Sequence, residues 1–313
     1  EIGLCMSARA GILLIGGNGF LGSALARALA RAGREVHVLS RSAEAGQRDG
    51  IAFHRGSQDD IAIVAPLLKQ CRTVIHLAST TTPGSSARSP GIDTKENLLP
   101  ATMLAKAMSV LPPDRLIFVS SGGAVYGNPE RLPVDESCAP RPLSYHAAGK
   151  VALEALFTAF AHANGVSLAI LRPSNIYGPG QPLRGGFGLV RTLLDKALRG
   201  ETVEMWGDGT AMRDYLFIDD VIEACTRLTD NPQATGVFNA GSGTGTSIKD
   251  LITLVAQVTG RAPNIVERPA RGTDVRAIVL DSTQLREATD WTSLIGLEEG
   301  LRRTWTWLRE PRL

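Results

Sequence analysis

The chain has 313 residues, enough for a large core and more than one lobe, and its 33 basic and 31 acidic residues leave a net charge of +2. It has no basic stripe interleaved with aromatics and no apolar run near the roughly 20 residues that span a bilayer, which excludes nucleic-acid binding and membrane insertion. The four cysteines (Cys5, Cys71, Cys138, Cys225) form no C-x-x-C pair and no histidine stands at metal-ligand spacing, which predicts reduced thiols, no metal and a cytoplasmic protein.

Glu1 to Cys5 precede Met6 and belong to no predicted element, and no signal-peptide pattern follows them. Ile12 to Ile15 is a short apolar, β-branched run that predicts a buried strand. A turn with glycines at Gly16, Gly19 and Gly22 follows. Ala24, Leu25, Ala28, Leu29 and Ala32 then recur at helical spacing until Gly33. A strand turning sharply into a helix aims the free N–H groups of the first helical turn, at Phe20, Leu21 and Gly22, toward a ligand above it. Those groups carry roughly half a positive charge and suit a pyrophosphate. Gly16 permits the turn, Gly19 removes a Cβ where phosphates approach, and Gly22 lets helix and strand pack closely. Strand, turn, helix and a second strand at Val36 to Leu39 come in the order dinucleotide binding requires. The second strand ends in Ser40 and Arg41 instead of the acid that binds the ribose of NAD. A serine and a guanidinium can receive a 2′-phosphate, so the cofactor is NAD or NADP, with NADP favoured.

Further along, Ile51 to His54 predicts a strand, Asp60 to Lys69 a helix, Thr73 to Leu77 a strand and Asp93 to Met108 a longer helix. Arg115 to Ser120 predicts a strand, Ala147 to Ala163 a helix and Ser167 to Leu171 a strand. This alternation predicts an α/β protein with a Rossmann-type, doubly wound parallel sheet covered by helices on both faces. After Pro173, Gly and Pro cluster at Tyr177 to Gly188 and again at Trp206 to Tyr215, with a helix between them. Such polar loops concentrate ligand contacts. The predicted organisation is a nucleotide-binding domain over 8–175 and a smaller C-terminal substrate-binding lobe over 176–313. Phe217 to Leu228 and Val237 to Ala240, within 217–241, return to the main sheet. Leu297, Leu301, Trp305 and Leu308 mark one face of a last amphipathic helix.

Motifs in consistent order add a family resemblance over about Gly11 to Leu308. They are HLAS at His76 to Ser79, SSGGAVYG at Ser120 to Gly127, HAAGKVALE at His146 to Glu154, RPSNIYGPGQ at Arg172 to Gln181 and GDGTAMRDYLFIDDV at Gly207 to Val221. FNAGSGTGTS at Phe238 to Ser247 and RGTDVRAIVLDSTQL at Arg271 to Leu285 complete the set. The chain resembles the NAD-dependent epimerase/dehydratase family, the extended short-chain dehydrogenases that act on nucleotide-linked sugars. The resemblance implies cofactor contacts from Ser57, Gln58, Leu77, Ala78, Ser79, Lys150 and Pro173. It also implies nucleotide-sugar contacts from Asn175, Arg213, Arg271 and Asp274. It further implies a homodimer built on the helices at Asp93 to Met108 and Ala147 to Ala163.

In the family a tyrosine, lowered in pKa by a lysine four residues later, takes the proton of a sugar hydroxyl, and a serine or threonine bonds the reacting oxygen. Lys150 and Glu154 match that helix, but His146 stands in the tyrosine's place and Tyr145 is one residue too early. Three alternatives stay open: His146 as base, Tyr145 reaching in from an irregular helix start, or a disabled site. The family's serine or threonine falls on Gly122, which leaves Ser121, and after it Ser120, as substitutes. Gly123 and Ala124 stand where dehydratases of the family carry Asp-Glu. Ser57 replaces an aspartate near the adenine, and Ile278 falls where relatives vary bulk to admit N-acetyl groups. The expected activity is 4-epimerisation of a nucleotide-sugar, UDP-linked, for polysaccharide precursor synthesis. An NADPH-dependent keto-sugar reductase, or a binding protein that has lost catalysis, is the alternative.

Overall fold

The structure, a computed structural model, describes residues 10–87, 89–183, 188–269 and 275–310. In chain order the first half comprises β1 (Gly11–Ile15), α1 (Phe20–Arg31), β2 (Val36–Ser40), β3 (Gly46–Arg48), β4 (Ile51–Arg55), α2 (Ile61–Gln70), β5 (Cys71–His76) and a single turn α3 (Pro83–Ser86). Then come α4 (Leu99–Val110), β6 (Arg115–Val119), a second single turn α5 (Gly122–Val125), α6 (Tyr145–Asn164) and β7 (Ser167–Pro173). The rest is β8 (Asn175–Tyr177), α7 (Leu189–Arg199), β9 (Val203–Trp206), β10 (Met212–Phe217), α8 (Ile218–Asp230), β11 (Gly236–Ala240), β12 (Gly245–Ser247), α9 (Ile248–Thr259), β13 (Ile265–Arg268), α10 (Thr283–Thr289) and α11 (Leu297–Arg309).

The main sheet runs β11-β7-β6-β5-β1-β2-β4-β3, parallel except for the antiparallel edge strand β3. Strand order reverses beside β1: the chain lays β2 and β4 on one side, then returns to place β5 on the other. That reversal opens a crevice at the carboxyl ends of the strands, the place where doubly wound folds bind ligands. Both faces are covered. Leu25, Ala26 and Leu29 of α1 and Val221, Ala224 and Leu228 of α8 pack with Leu14, Ile75 and Ile117 on one face. Leu67, Leu104, Leu153 and Phe157, from α2, α4 and α6, cover Leu13, Val74 and Phe118 on the other. Leu29 is 1% exposed, so Leu29→Ala should cost roughly 2–5 kcal/mol.

β8, β10 and β12 form a second sheet and β9 pairs with β13. Around them α7, α9 and α11 build a separate core of Leu193, Leu194, Phe217, Leu251, Leu301 and Trp305. Val237 to Ala240 joins the main sheet, through β11. Phe217 does not: it ends β10 in the second sheet, and only the helix after it covers the main one. The helix predicted from Asp93 contains a π-turn over Thr94–Leu98 before α4 begins at Leu99. The helix predicted from Ala147 begins two residues earlier, at Tyr145, because Ser144 Oγ accepts the Ala147 N–H at 3.2 Å and caps it. Among the described residues, no helix is long and apolar enough to cross a membrane. No group of three or more His, Cys, Asp or Glu among them is placed to hold a metal.

Candidate active site

A cleft of about 1750 Å³ opens along the carboxyl ends of the strands and continues beneath the second sheet. Its floor is the turn between β1 and α1. Gly16 has φ +82°, and a Cβ there would sit 2.7 Å from the Ala78 Cα, so only glycine brings the turn this close to the end of β5. A Cβ on Gly22 would fall 2.6 Å from the Gly17 Cα, which explains the close packing of α1 on the turn. At Gly19 the nearest atom to a Cβ is the Gly16 carbonyl oxygen at 3.4 Å, so the space above it is open. Gly19 starts α1 with no side-chain cap. The N–H groups of Phe20, Leu21 and Gly22 therefore have no helical acceptor and face the cleft that these residues line. Residues so arranged fit a dinucleotide pyrophosphate.

The cleft rim beside β2 is polar. Asn18 Nδ2 donates to the Ser42 carbonyl at 3.3 Å and lies 3.1 Å from Ser42 Oγ, which is in turn 3.2 Å from Ser40 Oγ. Arg41, with its side chain 60% exposed, pairs with Glu96 at 3.4 Å. Ser57, Gln58, Leu77, Ala78, Ser79 and Pro173 all line the cleft. Gln58 Oε1 lies 2.7 Å from His76 Nε2, and burial with Lys150 nearby pushes the His76 imidazole down to about 3.

The centre of the cleft is set by α6. Its start is regular, so successive residues turn by about 100°. Tyr145 points outward, 47% exposed, and does not line the cleft. His146 and Lys150, one turn apart, are buried and do line it. His146 Nδ1 lies 3.0 Å from Thr81 Oγ1 and 3.9 Å from Asp93 Oδ1, and Nε2 has no hydrogen bond among the described residues. Burial, then the Lys150 charge, push this imidazole down to about 4 against the opposing pull of Asp93, so it is neutral at pH 7. Lys150 Nζ donates to the Val119 carbonyl at 3.0 Å and sits 5.1 Å from the Phe118 ring centre. Burial pulls this ammonium down to about 8, opposed by Glu154 and Asp93.

The two candidate serines separate cleanly. Ser120 donates its hydroxyl to Glu154 at 2.5 Å, within a buried pair of Glu154 and Arg172, and is committed to structure. Ser121 lines the cleft on extended backbone, and its hydroxyl makes no hydrogen bond among the described residues. Gly123 and Ala124 line the cleft without a carboxylate. Ile278 does not line it: it is buried with Val125, Tyr126 and Leu280.

Toward the second sheet, Asn175 lines the cleft and donates Nδ2 to the Asp214 carbonyl at 3.0 Å. Arg213 lines it as well, with Nη1 donating to the Met212 carbonyl at 2.8 Å. Arg271 and Asp274 lie outside the described residues. Sequence reasoning missed Asn18, Thr81, Asn97 and Tyr215, all of which line the cleft, and Asp93 behind them. The signals were slight: a threonine run after HLAS, and an acid and an amide four residues apart on one helical face.

A doubly wound sheet, a glycine-lined helix start at its switch point and a cleft reaching under a second sheet define a dinucleotide-binding protein of the Rossmann type. The chain belongs to the NAD dependent epimerase/dehydratase family, whose model matches residues 12–241. The UDP-glucose 4-epimerase of Mycolicibacterium smegmatis is 32% identical to it, over 93% of this chain and 96% of the relative. A putative UDP-glucose 4-epimerase of Methanocaldococcus jannaschii is 31% identical, over 95% and 98%. Among solved structures, the UDP-glucose 4-epimerase of Thermotoga maritima with UDP-glucose superposes with a TM-score of 0.89 at 32% identity, covering 96% of this chain and 98% of that one. The Thermus thermophilus UDP-glucose 4-epimerase complex with NAD gives 0.88 at 32% identity, covering 96% and 99%.

Proposed function

We propose that the chain is a nucleotide-sugar 4-epimerase acting on a UDP-linked hexose, with His146 as the general base. The observation that carries this is the pairing of buried His146 and Lys150 on the cleft face of α6, with Ser121, whose hydroxyl makes no hydrogen bond among the described residues, lining the same cleft. The similarity of both chain halves to UDP-glucose 4-epimerases supports the substrate class. A nicotinamide cofactor bound at the β1–α1 turn, on Gly16, Gly19, Phe20, Leu21 and Gly22, supplies a reversible hydride acceptor. His146 Nε2 takes the proton of the sugar 4-hydroxyl and returns it to the same oxygen. Ser121 holds that oxygen by a hydrogen bond, and burial, with the Lys150 charge beside it, keeps the imidazole neutral between turnovers. Asn175 and Arg213 grip the diphosphate, with Arg271 and Asp274 completing the nucleotide site. Gly123 and Ala124 give dehydration no acid/base pair.

Ser40 and Arg41 favour NADP over NAD, Arg41 exchanging Glu96 for a 2′-phosphate. The same edge favours a second activity, one-directional reduction of a keto-sugar by NADPH. The proposed assembly is a cytoplasmic homodimer in which 8–175, with 217–241, binds the cofactor and 176–313 the sugar nucleotide. Incubation with a panel of UDP-sugars and added NAD or NADP, followed by chromatography, tests the activity. An epimer should accumulate at constant cofactor. Steady NADPH consumption would identify the reductase instead. A ligand-induced rise in Tm without turnover would identify a binding protein.

A further inference from the structure

We propose that Thr81 and Asp93 are positioning residues that fix His146 as its Nδ1–H tautomer, so that Nε2 alone faces the cleft as the proton acceptor. This rests on His146 as the base. Because histidine replaces the family's tyrosine here, the ring brings a tautomer choice that a phenol does not have. The wrong choice would put a hydrogen on the nitrogen that must accept one.

Counting hydrogens assigns the tautomer. The Thr80 backbone N–H lies 3.0 Å from Asn97 Oδ1 and can only donate, so the Asn97 amide is oriented with its oxygen toward Thr80. Its NH₂ therefore points at Thr81 Oγ1, 3.0 Å away, and at Asp93 Oδ1, 3.1 Å away. Thr81 accepts from that amide, and it has one hydrogen to give. Asp93 Oδ1 takes it at 2.5 Å, as an acceptor of two donors. What remains to Thr81 is a lone pair, and His146 Nδ1 stands 3.0 Å from it. Nδ1 must therefore carry the hydrogen. When Nε2 gains a proton, the positive charge on the ring has the Asp93 carboxylate 3.9 Å behind Nδ1.

The local fold supports the cluster. Asp93 and Thr81 are 4% and 5% exposed, so water does not compete for these bonds. A Cβ on Gly149 would sit 3.1 Å from the Asp93 Cβ, so glycine is what lets α6 lie this close to Asp93. The Ser86 hydroxyl holds the His146 backbone N–H at 3.2 Å and fixes the residue's height on the helix.

Two measurements test this, one of which needs no turnover. Nitrogen-15 NMR of the histidine-labelled protein near neutral pH, with the His146 signals assigned by their loss in His146→Gln, should show a protonated Nδ1 and an unprotonated Nε2. In Thr81→Val, which keeps the shape and removes the hydroxyl, the Nε2–H form should become populated. In the epimerase assay, Thr81→Val should lose roughly 10- to 100-fold in kcat with KM nearly unchanged, a part of what a positioned base contributes. Thr81→Ser should restore both kcat and the tautomer. An Nε2–H tautomer in the wild type would overturn the proposal whatever the activity. An unchanged kcat in Thr81→Val would overturn it too. An Nδ1–H ring in a protein that turns over no sugar would sustain the tautomer and overturn the base.

Discussion

Glu154→Gln tests how α6 is held. Glu154 accepts Arg172 Nε at 3.0 Å and Nη2 at 2.5 Å, with the Ser120 hydroxyl on the same carboxylate at 2.5 Å. The two side chains are 8% and 5% exposed. Glutamine keeps the shape but removes the charge, leaving a guanidinium that cannot shed its proton buried without a counter-ion. Breaking a buried pair in this way costs roughly 3–5 kcal/mol. For a chain of this size that is a fall in Tm of roughly 5–10 °C. Glu154 is also the first of the groups that oppose the burial of Lys150, so its loss should take the ammonium below about 8 and lower the pH at which Lys150 gives up its proton. Thermal melting by circular dichroism reads the first effect and an NMR titration of the Lys150 ammonium the second. Glu154→Leu combined with Arg172→Met removes both charges and should recover most of the stability. Melting of Glu154→Gln within about 1 °C of the wild type would refute the reasoning.

Acid should destabilise the protein before it protonates His146. His146 and His76 are held down to about 4 and about 3, so the unfolded chain binds protons that the folded chain refuses. Stability is complete above about pH 6.5 and is lost as pH falls toward those values, by about 2 kcal/mol for each histidine at pH 5. Urea titrations across this range should show the loss, and a flat profile would contradict it. Arg41→Ala should weaken NADP by roughly 1.5–3 kcal/mol while leaving NAD unchanged, as read by fluorescence titration. NAD bound tenfold better by the wild type, with indifference to Arg41, would remove the preference. Sedimentation at micromolar concentration should give a dimer, and a 33.3 kDa species would contradict it.

The β1–α1 turn was legible because a backbone requirement for glycine leaves a mark in sequence: the crowding at Gly16 and Gly22 admits no other residue. The sheet was legible through alternation alone, but β3 was not, since Gly46–Arg48 is exposed on a sheet edge and has no apolar pattern. β8, β9, β12 and β13 are three or four residues long, too short for a period to register. At the site, spacing placed His146 and Lys150 on one helical face. It left Tyr145 open, because that depended on where α6 starts, which the Ser144 cap decides. The choice between Ser120 and Ser121 depended on Glu154, 34 residues away from Ser120 in sequence. The Thr81–Asp93–Asn97 cluster joins a loop after β5 to a helix turn that no pattern connects with α6.

The most direct test of the central claim is to compare wild type, His146→Ala and Tyr145→Phe on UDP-glucose with bound cofactor, following the C4 epimer by chromatography. The wild type and Tyr145→Phe should form it at similar rates, because Tyr145 faces solvent. His146→Ala should be slower by roughly 10²- to 10⁴-fold while still binding the sugar nucleotide through Asn175 and Arg213. Loss of turnover in Tyr145→Phe with full activity in His146→Ala would contradict the assignment and make the phenol the base.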